Sequence, residues 1–77
     1  MNALEQERIY RRDELIRELD CYSITDLEVL TDLSANTLAA WRNQGKGPAF
    51  VMLGRTALYP RAAVQAFIRE CLGKRHE

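Results

Sequence analysis

The stretch from Trp41 to Pro60, WRNQGKGPAFVMLGRTALYP, limits the possible folds more than any other part of the sequence. Gly45 and the pair Gly47-Pro48 are unfavourable inside a regular helix, so the helix that precedes them must end here. Residues 49–53 are rich in strand-forming side chains, Gly54 permits a tight turn, and a second short apolar run follows. Because an isolated two-stranded hairpin is marginally stable in water, this hairpin requires a helical layer behind it.

The residues before this stretch have the features of two short helices joined by a turn. Thr25 followed three residues later by Glu28 fits a capping box, which predicts the start of the first helix. Ser34 is a favourable N-cap for a second helix from Ala35 to about Gln44. Two such helices with a short connection describe a helix-turn-helix.

Further helices are predicted on both sides of this core unit. Leu15, Ile16, Leu19 and Tyr22 fall at helical spacing, which predicts a short amphipathic helix that ends near Asp20. At the other end, Pro60 occupies a favoured first-turn position of a final helix, and Gly73 ends it.

Together these elements predict a mostly helical fold with a small β-hairpin wing: a winged helix-turn-helix preceded by an N-terminal amphipathic helix. With 77 residues, the chain has room for one small domain. We expect residues 1–22 to form a charged helical extension, residues 23–72 the winged domain and residues 73–77 a tail. We also expect Trp41 in the core, and the hairpin to pack on the helices through residues such as Phe50 or Val51, Leu53 and Leu58.

Charge is distributed unevenly along this chain, whose formal net charge is zero. Residues 1–33 contain four arginines and nine acidic residues, a net charge of −5, whereas residues 34–77 contain seven basic and two acidic residues, a net charge of +5. The positive half includes the second predicted helix and the wing. Such a charge dipole gives the protein one end that is suited to an anion such as phosphate.

The second predicted helix has one face that suits the major groove of DNA. On a helical wheel, the side opposite to Leu38 and Trp41 carries Asn36, Ala39, Ala40 and Asn43, with Arg42 on its flank. Asn can pair with adenine through two hydrogen bonds, and Ala can contact the methyl group of thymine. At the predicted wing tip, Arg55 can reach a minor groove or a backbone phosphate.

The order of these motifs resembles that of the excisionase and AlpA-like winged helix-turn-helix proteins of the MerR-like superfamily. The resemblance rests on Ser-x-x-Thr-Leu-x-x-Trp-Arg from Ser34, a Gly-x-Gly-Pro link, Leu-Gly-Arg at 53–55 and Tyr-Pro-Arg at 59–61, and it covers about residues 23–72. It implies a small cytoplasmic DNA-binding protein of phage or integrative-element type. Members act as excisionases, which bind and bend attachment-site DNA with an integrase, often as several copies, or as transcriptional regulators.

Matching positions define the candidate site residues. The resemblance implies that Asn36, Thr37 and Arg42 lie in or beside the recognition helix, and that Lys46 and Arg61 contact the DNA backbone. The candidate DNA-binding residues are therefore Asn36, Thr37, Ala39, Ala40, Arg42, Asn43, Lys46, Arg55 and Arg61. Three positions depart from the family pattern: many members carry a bulky or basic pair in place of Ala39-Ala40, and a glycine is common in place of Asp32.

Two other functions are compatible with the same fold. Zero net charge, the alanine pair and the acidic extension favour a protein-interaction module of antirepressor-like or integrase-binding type, with little DNA binding. The second alternative function is that of a DNA-packaging domain similar to a terminase small subunit.

Enzyme activity, cofactors and membrane insertion are not expected. The sequence has no Ser/His/Asp set, no metal-ligand cluster and no phosphate-binding glycine loop, so we expect no catalytic residues, metal or cofactor. Cys21 and Cys71 lack metal-ligand spacing, which predicts reduced thiols. The charged N-terminus predicts no secretory signal, and the longest apolar runs are too short to span a membrane.

Overall fold

The computed structural model describes residues 2–74, which form four helices and a small antiparallel sheet. The helices are α1 (Ala3–Glu18), α2 (Ile24–Thr31), α3 (Ala35–Gln44) and α4 (Arg61–Gly73), and the strands are β1 (Cys21–Tyr22), β2 (Val51–Leu53) and β3 (Thr56–Pro60). The strand order is β1-β3-β2, so β3 is the central strand. The predicted winged helix-turn-helix with mostly helical content is confirmed.

Strand β1 is the element that the sequence pattern does not indicate. Cys21 is paired with Pro60 and Tyr22 with Tyr59, which adds a third strand to the hairpin. Tyr22, which helical spacing assigns to the stripe of the first helix, therefore lies in the sheet. The change of direction occurs at Asp20, whose φ of 61° is left-handed and cannot continue a helix.

The start of α2 lies two residues earlier than the capping motif predicts. Ser23, rather than Thr25, is the N-cap: the N–H of Asp26 donates to Ser23 Oγ at 3.1 Å, and the N–H of Ser23 donates to Asp26 Oδ2 at 3.0 Å. A hydroxyl followed three residues later by an acid occurs in both registers, at 23–26 and at 25–28. The prediction of Thr25 is wrong because the short strand β1 holds the backbone of Ser23 at the helix start.

The turn between α2 and α3 depends on three side chains. Asp32 ends α2 with a φ of 62°, a conformation that Asp tolerates better than most residues. Ser34 caps α3 as predicted, because it accepts the N–H of Thr37 at 3.1 Å. Glu28 Oε2 also accepts the N–H of Ala35 at 3.1 Å, so a carboxylate from the first helix stabilises the N-terminus of the second.

The core lies between the helix-turn-helix, α4 and one face of β3. Its buried members are Leu27, Leu38, Ala57, Tyr59 and Val64. Trp41 packs against this cluster, as the apolar stripe predicts, and its ring centroid lies 6.3 Å from that of Phe67 on α4. The second helix of the motif is thereby attached to both the sheet and the last helix.

The two strands of the wing differ in burial because only β3 is central. Leu58 is 6% exposed, as predicted, since it points away from the core cluster towards α1 and is covered by Ile16. Strand β2 lies at the sheet edge, and Val51 and Leu53 are 50% and 61% exposed. The prediction that Leu53 packs on the helices is wrong, because Leu53 lies at the rim of a groove beside α1 and no helix within residues 2–74 covers it.

A side chain at position 47 is expected to destabilise the domain through Trp41. Gly47 has a φ of 78°, and a Cβ atom there would lie 2.6 Å from Trp41 Cε3. Gly54 has a similar φ of 65° but no atom within 4 Å of its own Cβ position. Gly54→Ala should therefore cost about 1–2 kcal/mol for the left-handed backbone alone, and Gly47→Ala should cost about 1–3 kcal/mol more for overpacking. Urea unfolding of both variants measures the difference, and equal losses would contradict a close Gly47–Trp41 contact.

Candidate nucleic-acid interface

Helix α3 packs on the core through Leu38, which is 1% exposed, and leaves its opposite face uncovered. At about 100° per residue, Asn36, Ala40 and Asn43 lie within about 40° of the direction opposite to Leu38. Asn36 and Asn43 are exposed, and Ala40 is half-buried. The two amides are separated by about 10 Å along the helix axis, which is close to three base-pair steps of 3.4 Å. Ala40 between them leaves room for the close approach of base edges.

Two other candidates lie on the flanks of this face. Ala39 and Thr37 are both half-buried. The Oγ1 atom of Thr37 lies 3.0 Å from Ser34 Oγ, so its hydroxyl is part of the helix cap. Ala39 has no polar group and can contribute only an apolar contact.

The wing tip is a two-residue turn that presents Arg55. Leu53 and Thr56 are the last paired residues, and the first turn residue, Gly54, has a φ of 65°, a pattern typical of type II′ hairpins. Arg55 is exposed and lines the same surface groove as Arg12 of α1 and the first turn of α2 around Thr25.

Arg12 is a basic residue that sequence reasoning does not place at this surface. Its Nε atom lies 4.0 Å from Asp13 Oδ1, and its side chain is about half exposed. Residues 1–33 carry a net negative charge, so their composition does not suggest a basic side chain at the wing. Composition cannot indicate which single side chain the fold places there. Only the packing of α1 on the sheet brings Arg12 close to Arg55.

Arg42 lies at the joint between α3 and the wing and not on the outward face of the helix. Its Nη1 atom donates a hydrogen bond to Tyr59 Oη at 2.7 Å. Its Cζ atom lies 5.8 Å from the ring centroid of Phe50 and 6.0 Å from that of Tyr59. Sequence reasoning names Arg42 but misses both aromatic partners, which are separated from it by the glycine link and the hairpin.

Lys46 and Arg61 are both exposed but lie in different surroundings. Lys46 follows the end of α3, where its backbone N–H donates to the carbonyl oxygen of Trp41 at 2.8 Å. Arg61 begins α4, and its Nε atom lies 3.1 Å from Asp20 Oδ1. Because β3 separates Arg61 from Arg55 by about 20 Å, the structure does not bring these two arginines together.

Within residues 2–74, no helix has the length and apolar character needed to cross a bilayer. The same part of the chain contains no group of three or more side chains that could hold a metal ion.

A comparison with protein families agrees with this geometry. The family model described as "Helix-turn-helix domain" matches residues 21–72, a range that runs from β1 through the wing to α4. Comparisons with curated proteins and with solved structures gave no significant match. Proteins that bind DNA with this motif place its second helix, which is α3 here, in the major groove. Because the match covers more than half of the chain, the protein belongs to the helix-turn-helix domain family, whose fold is used for DNA binding.

Proposed function

We propose that this protein binds double-stranded DNA sequence-specifically and acts in a phage or integrative element, either as an excisionase or as a transcriptional regulator. The observation that carries the proposal is the uncovered face of α3, where Asn36 and Asn43 are exposed beside the wing. Amides at this spacing can read adenine edges in the major groove, and a small residue between them permits close approach.

The remaining candidates divide into contacts with bases and contacts with the backbone. Ala39 and Ala40 offer methyl groups to thymine, and Thr37 borders the same groove. Arg55 at the wing tip contacts a phosphate or the adjacent minor groove. Further backbone contacts are made by Arg42, Lys46 and Arg61.

An excisionase also needs a surface for a second protein, and the opposite side of the sheet supports this part of the proposal. Leu15 and Leu19 of α1 and Leu53 of β2 are exposed and line one apolar groove, with Ile16 and Leu58 beneath it. Since β3 lies between this groove and the core that carries α3, the groove is on the side of the sheet away from α3. An integrase or a second copy of the chain can then be contacted at the same time.

A titration with two duplexes tests the proposal. The protein is titrated by fluorescence anisotropy into a duplex from the DNA that flanks its own gene and into a shuffled duplex, over a series of salt concentrations. Preference for the native duplex and steep salt dependence are expected. An excision assay with an integrase of the proposed phage or integrative element then separates the excisionase from the regulator. Binding that remains weak at low salt would favour the protein-interaction module, for which the apolar groove is the specific observation.

The wing arginine is expected to contribute to affinity for every duplex. Arg55→Ala should weaken binding to native and shuffled duplexes alike and lower the slope of log K against log salt concentration by about one. The control is Arg69→Ala, which removes an exposed arginine from α4, and it should leave the slope unchanged. A slope that is unchanged in Arg55→Ala would remove Arg55 from the phosphate contacts.

A further inference from the structure

The side chain of Arg42 is held by two residues of the hairpin. At about 100° per residue it lies about 40° from Leu38, on the side of α3 that faces the sheet. There it donates to Tyr59 Oη at 2.7 Å, and its guanidinium is within 6.0 Å of the Phe50 and Tyr59 ring centroids. The two rings are themselves 6.3 Å apart. A side chain of the recognition helix is thus fixed by the base of the wing.

The partners of Arg42 are placed to fix it without neutralising it. Neither Tyr59 nor Phe50 carries a charge, and the guanidinium makes a cation–π contact with the Phe50 ring. One hydrogen bond to Tyr59 leaves up to four of the five guanidinium N–H groups for another acceptor. An arginine that is already ordered loses less side-chain entropy when it binds an anion than a freely moving one.

The hydrogen bond also restricts what Arg42 can bind. Arginine reads guanine with two parallel N–H donors; the hydrogen bond from Nη1 to Tyr59 occupies the Nη1/Nη2 pair, so only the Nε/Nη2 pair remains for such reading. A phosphate oxygen imposes less directional demand and accepts from the remaining N–H groups. A sugar-phosphate backbone separates the major from the minor groove, so with α3 in the major groove and the wing tip in the adjacent minor groove it would pass between them.

We propose that Tyr59 and Phe50 are positioning residues for DNA binding, which hold Arg42 at this joint so that it contacts a backbone phosphate. The inference rests on the proposed DNA binding. It assigns Tyr59 a role beyond its buried ring: the ring fills the core, and the hydroxyl orders the arginine. Tyr59 therefore contributes to DNA affinity only by ordering the side chain of Arg42.

A double-mutant cycle tests this dependence. Duplex affinity and its salt dependence are measured for the wild type, Tyr59→Phe, Arg42→Gln and the double variant, with thermal unfolding of each as the check on folding. Tyr59→Phe keeps the aromatic ring and should weaken binding about two- to tenfold, the cost of ordering one free side chain on binding. Arg42→Gln should weaken binding to all duplexes and lower the salt slope by about one. In the Arg42→Gln background, Tyr59→Phe should have no further effect.

The matched control is Tyr22→Phe, which removes a phenol hydroxyl from the residue paired with Tyr59 across the sheet. It should leave DNA affinity unchanged in both backgrounds. Equal losses from Tyr59→Phe with and without Arg42 would overturn the inference, as would an Arg42→Gln variant with unchanged affinity and slope.

If Arg42→Gln does not fold, Arg42→Lys, which keeps the charge, replaces it and should retain the salt slope. A wild type that binds no duplex contradicts the proposed function, whereas a wild type that binds without coupling contradicts this inference alone.

Discussion

Replacing Trp41 with alanine is expected to remove a large part of the stability of this domain. The indole packs against the buried cluster of α2, β3 and α4, faces Phe67 and lies directly against Gly47. Trp→Ala substitutions in cores cost about 3–5 kcal/mol. A domain of this size has a total free energy of unfolding of roughly 4–12 kcal/mol, at about 0.05–0.15 kcal/mol per residue. The expected loss is therefore between about a quarter and all of this total, so the midpoint of unfolding should fall strongly.

The loss is measured by urea unfolding with far-UV circular dichroism, because Trp41 is the single tryptophan and its fluorescence disappears with the substitution. Ile68→Ala is the control: it truncates another large apolar side chain, one that is 55% exposed on α4, and should cost far less. Trp41→Phe, which keeps an aromatic ring, should recover part of the loss. A Trp41→Ala variant within about 1 kcal/mol of the wild type would mean that the indole is not part of the core.

The elements that could be predicted from sequence are those whose signals are local. Ser34 caps a helix whose apolar stripe continues through Leu38 and Trp41, and every one of these signals comes from residues 34–44. Strand β1 has two residues and no period, so it exists only because β3 supplies its hydrogen-bond partners. The error at Thr25 has the same origin, since two capping motifs overlap and tertiary pairing decides between them. The exposure of Leu53 depends on where the helices end over the sheet, which no pattern in the strand records.

The candidate site divides in the same way. Asn36 and Asn43 follow from the helical period, because one buried residue, Leu38, fixes the outward direction of the helix. Arg42 belongs to the same helix, but its surroundings depend on residues 8 and 17 positions later, Phe50 and Tyr59. Local composition is misleading for Arg12, which keeps Asp13 as a neighbour but also lines a groove with Arg55, 43 positions later in the sequence. The types of the site residues can be read from the sequence, but the contacts between distant segments cannot. These contacts therefore set the limit on what can be predicted about function here.

Position 36 offers the sharpest separation between folding and DNA binding. Asn36 is exposed and is the second residue of α3, where a negative charge interacts favourably with the helix dipole. Asn36→Glu should therefore leave the free energy of unfolding unchanged or raise it by about 0.3–1 kcal/mol. The same carboxylate would face the phosphates and base edges of a bound duplex, and like-charge contacts cost several kcal/mol in an interface. We expect at least about a hundredfold loss of affinity for every duplex.

Asn36→Ala tests whether the side chain of Asn36 reads a base or whether the major groove only holds the helix at this position. It should keep most of the affinity for a shuffled duplex and reduce the preference for the native one by roughly 1–3 kcal/mol at a single base pair. Anisotropy titrations against single-base variants of the native duplex identify that base pair. Gln6→Glu, which adds the same charge at an exposed position of α1, should change affinity little. If Asn36→Glu binds as well as the wild type, the outward face of α3 is not the DNA-binding surface; if Asn36→Ala weakens all duplexes equally, α3 contacts DNA without reading a base at this position.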